Sequence, residues 1–262
     1  MSELAVACAG LLGTGAAGPV TPWLDPYRVP ARAVALDIQA GASVAQALNN
    51  ALRDAPVATA GGHPLQFVAQ SELPEGEPYE ACIARSGRVP TRDNAHDFYN
   101  GLVWLRFPQM KRRLNELHAA QIGARPVAAR RGAARDVLTL FDENAALLQA
   151  PPTLARALAE RDWNGLFTTH RADWADATLT VVGHALLEKL LRPRKAITAH
   201  VWLLGADEDP HDVTTRLLRL GRPLSGVKPW LPLPVLAVPG WCAANAQPGF
   251  YADPQVFRSA TS

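Results

Sequence analysis

Residues 91–118, TRDNAHDFYNGLVWLRFPQMKRRLNELH, hold the densest run of groups in this chain that can take or give a proton. On an α-helix, residues three and four apart share a face. Asp93, Asp97 and Asn100 therefore fall in one line with His96 beside it, and Lys111, Asn115 and His118 form a second polar stripe beyond Pro108. Two such helices facing each other would present imidazole, carboxylate, amide and ammonium groups to one cleft. That set suits general acid–base work on a charged substrate. The plainer reading is that Asp93 caps a helix, His96 bonds within the core and the rest are solvated.

Two further stretches carry chemistry of their own. In RRGAARDVLTLFDENA, the pair Asp142 and Glu143 suits a hard cation or acid–base catalysis, while Arg131 and Arg135 suit a phosphate or carboxylate. The same residues also read as a β-turn in which Asp142 and Asn144 bond their own backbone. In GHALLEKLLRPRKAITAH, Gly183 would let the backbone turn sharply into a helix whose N-terminus offers free N–H groups. His184 and Glu188 lie four apart and could bond each other or share a metal. A divalent metal is thus a possible cofactor, but His-x-x-x-Glu lacks the second histidine of the zinc-peptidase helix. No GxxxxGK[ST], GxGxxG, GxSxG or HExxH motif occurs, which removes the standard nucleotide, dinucleotide, serine-hydrolase and zincin readings.

These stretches need elements to position them. Spacing predicts helices over 43–53, with Ser43 as N-cap, over 94–107 and over 109–122, with Pro108 tolerated in the first turn of the last. Helices are also expected at 151–161, 163–169, 184–191 and 212–220. Strands are expected at 65–70, 79–84, 136–141, 145–149, 178–182 and 196–204, with residues 142–144 as a turn. Prolines 19, 22, 26 and 30 imply an extended lead-in over 1–33, pinned by Trp23 and Tyr27. A Pro-punctuated C-terminal segment wraps the surface. The expected architecture is α+β: a single domain over 34–262 with a central helical pair packed against short, mostly antiparallel strands.

Composition bounds the function. With 48% hydrophobic and 19% charged residues, the 262-residue chain can bury a sizeable core. A net charge of +2 does not by itself imply a polyanion partner. The charge is uneven, however: residues 111–136 hold seven basic residues against two acidic ones. Cys8, Cys82 and Cys242 are odd in number and far apart, which argues against a disulfide framework or zinc finger and for a reducing compartment. There is no basic n-region before Arg28 and no apolar run long enough to span a bilayer, so a cytoplasmic, non-membrane protein is expected.

The segments VPTRDNAHDFYNGLVWLRFPQMKRRLN, RRGAARDVLTLFDEN and GHALLEKLLRPRKAITAH, in that order, resemble a bacterial family of uncharacterised proteins, domain of unknown function 3025 (DUF3025). The closing PLPVLAVPGW and FYADPQVF are similar to its C-terminal pattern. The resemblance implies no activity, substrate or cofactor. It does imply a small residue after Asn144, where this chain has Ala145, and a left-handed turn there would strain alanine.

Two functions follow from the residues. The first is a hydrolase-like, metal-assisted enzyme acting on a phosphate-bearing or otherwise anionic substrate. His96 or His184 would be its base, Asp97, Asp142, Glu143 and Glu188 its carboxylates. Asn100, Lys111, Asn115, Arg131 and Arg135 would hold the substrate. The alternative is a non-catalytic module that binds RNA or an acidic protein through its basic segment 111–136. A structural reading, in which the polar motifs only buttress one another, also stands.

Overall fold

The computed structural model describes residues 1–13, 21–123, 133–205, 208–209 and 230–258. Of the described residues 58% are helix and 13% strand, so the α+β fold is built chiefly of helix. The central element is α5 (Ala95–Arg106), which packs against α1 (Glu3–Leu12), α2 (Arg28–Gln39), α3 (Val44–Asp54), α6 (Pro108–Gly123) and α9 (His184–Lys189). Its residues 97–104 are all buried, among them Phe98, Tyr99, Leu102 and Trp104. Burying a large apolar side chain of this kind stabilises the fold by about 1.5–3 kcal/mol. At Gly101 a Cβ would come within 2.2 Å of Leu48, so glycine is what lets α3 lie this close.

Caps set the ends of these helices. Ser43 and Gln46 form a reciprocal capping box at the start of α3. Asp93 accepts from Val44 N at 2.7 Å, capping α3 across 49 residues of sequence rather than its own helix. Asn94 takes over the start of α5, accepting from Asp97 N at 2.8 Å. Pro108 opens α6, where its missing N–H is not needed.

The larger sheet runs β4 (Thr178–Val181), β3 (Ala145–Gln149), β5 (Thr198–Leu203), β6 (Leu231–Pro234), and two of its three pairings are antiparallel. A second sheet pairs β1 (Gln66–Ala69) in parallel with β2 (Arg88–Thr91). These parallel strands need a crossover, which α4 (Tyr79–Ser86) supplies. On the far side of the larger sheet, α8 (Pro152–Glu160) follows β3 and packs near β6.

Four expectations are corrected. The described part of the lead-in is largely helical and contributes to the core: Ser2 caps α1, and Pro22 and Pro30 sit in first turns that need no N–H donor. Tyr27, fully buried, donates its hydroxyl to Val181 O at 2.7 Å. Residues 79–84 belong to α4, because Pro78 starts a helix and Cys82 and Ile83 turn inward at helical spacing. Residues 136–144 form the body and last turn of α7 (Ala133–Asn144), with Leu138 and Phe141 one turn apart in the core. The chain then passes straight into β3, so Ala145 adopts no left-handed turn. The helix expected at 212–220 lies outside the described residues. No helix among the described residues is long and apolar enough to cross a membrane.

Candidate acid–base site

Because 136–144 is helical, Arg135, Thr139 and Asp142 fall on one face of α7 at intervals of four and three. That face, α4, α5, α6 and the start of α9 enclose a polar cavity of about 380 Å³. Of the residues singled out from the sequence, His96, Asp97, Asn100, His118, Arg135, Asp142, Glu143 and His184 line it, beside Tyr79, Glu80 and Arg92. Three stretches spread over about a hundred positions of sequence therefore meet in one place.

The junction depends on Gly183. Its φ of −71° is open to any residue, so the sharp turn expected there is absent. What requires glycine is proximity: a Cβ would lie 2.6 Å from Asn144 N and Cα and from Glu143 O. Val182 N and Gly183 N both donate to Ala145 O, which locks β4 and the start of α9 against the α7–β3 junction. This puts His184, the first residue of α9, against α7 and α5.

At the centre is a chain of five side chains. Glu188 Oε2 lies 2.8 Å from His96 Nδ1, so Glu188 serves His96 on α5 and not its helix neighbour His184. His96 Nε2 meets His184 Nε2 at 3.1 Å, with the rings edge to face. His184 Nδ1 is occluded and has no hydrogen-bond partner among the described residues; it lies 3.8 Å from Asp142 Oδ2. Asp142 receives Lys111 Nζ on both oxygens, at 2.7 and 2.9 Å.

The protons on this chain can be counted. Two facing lone pairs repel, so the Nε2–Nε2 contact needs one proton between the rings. Glu188 fixes a second proton on His96 Nδ1. If the bridging proton belongs to His184, both rings are neutral. If it belongs to His96, that ring is cationic and His184 carries its proton on Nδ1, toward Asp142. The two states differ by a single proton, and carboxylates stand at both ends to balance the charge.

Burial pushes the His184 imidazole down to about 4, against the attraction of Asp142 and with help from Lys111 and His96. Burial opposes the charge on Asp142, but Lys111 and the neighbouring His184 outweigh it and hold the carboxyl at about 2. His184 is thus kept neutral and Asp142 ionised around neutral pH.

Other candidates have different work. Lys111 is buried, with all its ammonium protons engaged by Asp142 and Asn100 Oδ1 (2.9 Å), so direct contact with a substrate anion is not open to it. Asn100 passes its amide to the Tyr79 hydroxyl at 3.0 Å. Asn115 lies behind the wall, bonded to Glu80 Oε2 at 2.7 Å and away from the cavity. Asp97 is held by Arg92 through three contacts of 2.7–3.0 Å. Glu143 is exposed at the rim, and Arg131 lies outside the described residues. Among the described residues no three His, Cys, Asp or Glu side chains gather closely enough to hold a metal ion.

Residues 65–261 match the family model described as Protein of unknown function (DUF3025). The chain belongs to that family. No curated protein and no solved structure matches it. In this DUF3025 member every cavity-lining residue, from Gln70 to His184, falls inside the matched span, whereas α1–α3 precede it. Tyr79 and Glu80 were not legible as site residues, since reading 79–84 as a strand hid their place beside α6. Pro78 ahead of a helical apolar spacing is the signal that finds them.

Proposed function

We propose that this protein is an acid–base enzyme of hydrolytic type acting on a small anionic molecule, with the His96–His184 pair as its working centre. One observation carries the reading: the line of side chains Glu188–His96–His184–Asp142–Lys111 beside a polar cavity, hydrogen-bonded except across the 3.8 Å from His184 to Asp142. Both rings line the cavity, where a water or substrate hydroxyl can approach the pair. When the pair takes up one proton, the bridging proton passes from His184 Nε2 to His96 Nε2 and the added proton rests on His184 Nδ1, so Glu188 balances the charge on His96 and Asp142 faces the new N–H. Lys111 keeps Asp142 ionised and in place. Arg135 and Arg92 supply positive charge to the lining.

The cavity volume lies at the small end for ligand sites and suits a small molecule or one terminal group of a larger one. The nucleic-acid alternative draws less support. Lys111 is buried against Asp142, and Arg113 pairs with Glu116 at 2.5 Å, which removes two cations from a basic face. Three free cysteines fit a reducing, cytoplasmic location.

The test is a panel of chromogenic phosphate and carboxylate esters assayed with wild type, His96→Asn and Glu188→Gln. Turnover that falls by about 10²-fold or more in His96→Asn supports the reading. Turnover indifferent to His96, or none on any ester, contradicts it.

A further inference from the structure

Besides the histidine pair, the cavity is lined by three polar groups that the acid–base chemistry does not use: Tyr79, His118 and Arg135. The Tyr79 hydroxyl accepts from Asn100, and among the described residues its own proton has no acceptor. Burial, reinforced by Glu80, Asp97 and Asp142, holds the phenol protonated, so its O–H remains a donor. His118 is 5% exposed, yet neither ring nitrogen has a hydrogen-bond partner among the described residues, and its Nδ1 is wholly occluded. A buried imidazole nitrogen without a partner is unfavourable unless something fills the site. Burial lowers the His118 pKa against the pull of Glu80 and Asp142, so the ring is neutral, with one N–H and one lone pair. Arg135 forms no ion pair or hydrogen bond among the described residues.

These groups lie together. Glu80 acts electrostatically on both Tyr79 and His118, and Arg135 acts on His118. Asn115 on α6 ties down Glu80 on α4, which fixes the two helices carrying Tyr79 and His118 relative to each other.

We infer that this wall is an oxyanion-recognition subsite, in which Arg135, the Tyr79 O–H and the His118 N–H take the oxygens of a small monoanion. The inference rests on the proposed function for its second half, the presentation of that molecule to the histidine pair. Glu80 and Glu143 also line the cavity and limit what fits. They oppose a second negative charge and accept from a hydroxyl or amine on the same molecule. The ligand class is therefore a monoanion bearing a hydrogen-bond donor.

The test is calorimetric and NMR titration of the full chain with glycolate, acetate and inorganic phosphate. Saturable binding is expected to be strongest for glycolate, which has both the monoanion and the donor. Acetate should bind more weakly for lack of the hydroxyl. Phosphate, partly dianionic at neutral pH, should also be weaker, and should gain as the pH falls and its monoanion grows. Arg135→Gln should weaken glycolate by about tenfold or more, Tyr79→Phe and His118→Gln by less, and Arg135→Lys should restore part of the loss. Binding is read without any turnover, so failure of the acid–base reading does not mask this result. No saturable binding by any of the three anions would overturn the inference. So would binding that survives Arg135→Gln, or phosphate preferred at a pH where its dianion dominates.

Discussion

Lys111 and Asp142 form a buried ion pair whose worth lies in what it holds. Removing one partner of such a pair leaves an uncompensated charge in a dry place, which costs about 3–5 kcal/mol. Lys111→Met is therefore expected to lower the unfolding free energy by that amount in urea titration. Lys111→Met/Asp142→Leu should recover about 2 kcal/mol or more of the loss, since an apolar pair of similar volume needs no compensation. If the double variant is no more stable than the single, the pair is not the electrostatic unit described here. His184 predicts a pH dependence. Its folded-state pKa of about 4 lies below the ordinary 6.5, so between those values the unfolded chain binds a proton that the folded one refuses. Stability should fall as pH drops from about 6.5 to about 4, by about 3 kcal/mol from this group. Asp142, lowered from 3.8 to about 2, adds a further loss below pH 3.8. His184→Gln should flatten the upper limb of the stability curve; an unchanged slope would contradict the assignment.

The elements matter through their junctions. A methyl at Gly183 would strike backbone atoms of the α7–β3 junction that cannot swing away. Gly183→Ala is expected to cost about 3 kcal/mol or more, or to prevent folding, seen as a lowered unfolding midpoint. The Asp93 cap of α3 is a milder case: Asp93→Ala should cost about 1 kcal/mol. Much of this level was readable from sequence. The Ser43 cap, the break at Pro108, both helices around it and the strand at 145–149 rest on local chemistry that the fold leaves intact. What misled was local too. In the lead-in proline reads as a bar to helix, although Pro22 and Pro30 occupy the turns where an N–H has no partner. Short apolar runs at 79–84 and 136–141 fit either period, and only packing against α6 and α9 decides them.

At the scale of the molecule, α5 collects the polar groups. It presents His96, Asp97 and Asn100 to a space closed by α4, α6, α7 and α9, while its other faces pack into the core. The sequence named most of the cavity's chemical groups but not their partners. That Glu188 would reach His96, 92 residues away, rather than His184 one turn away, is a fact of tertiary packing with no local signal. The same holds for Lys111, a substrate cation by type and a buried counter-ion by position. The account's central claim is that the two imidazoles share one proton across their Nε2 atoms. Nitrogen-15 NMR of the histidine side chains across pH measures this directly. The expected result is that His96 Nδ1 stays protonated throughout, while one titration step moves the Nε2 signals of His96 and His184 together. Two independent steps, or a His96 whose Nδ1 carries no proton, would contradict it.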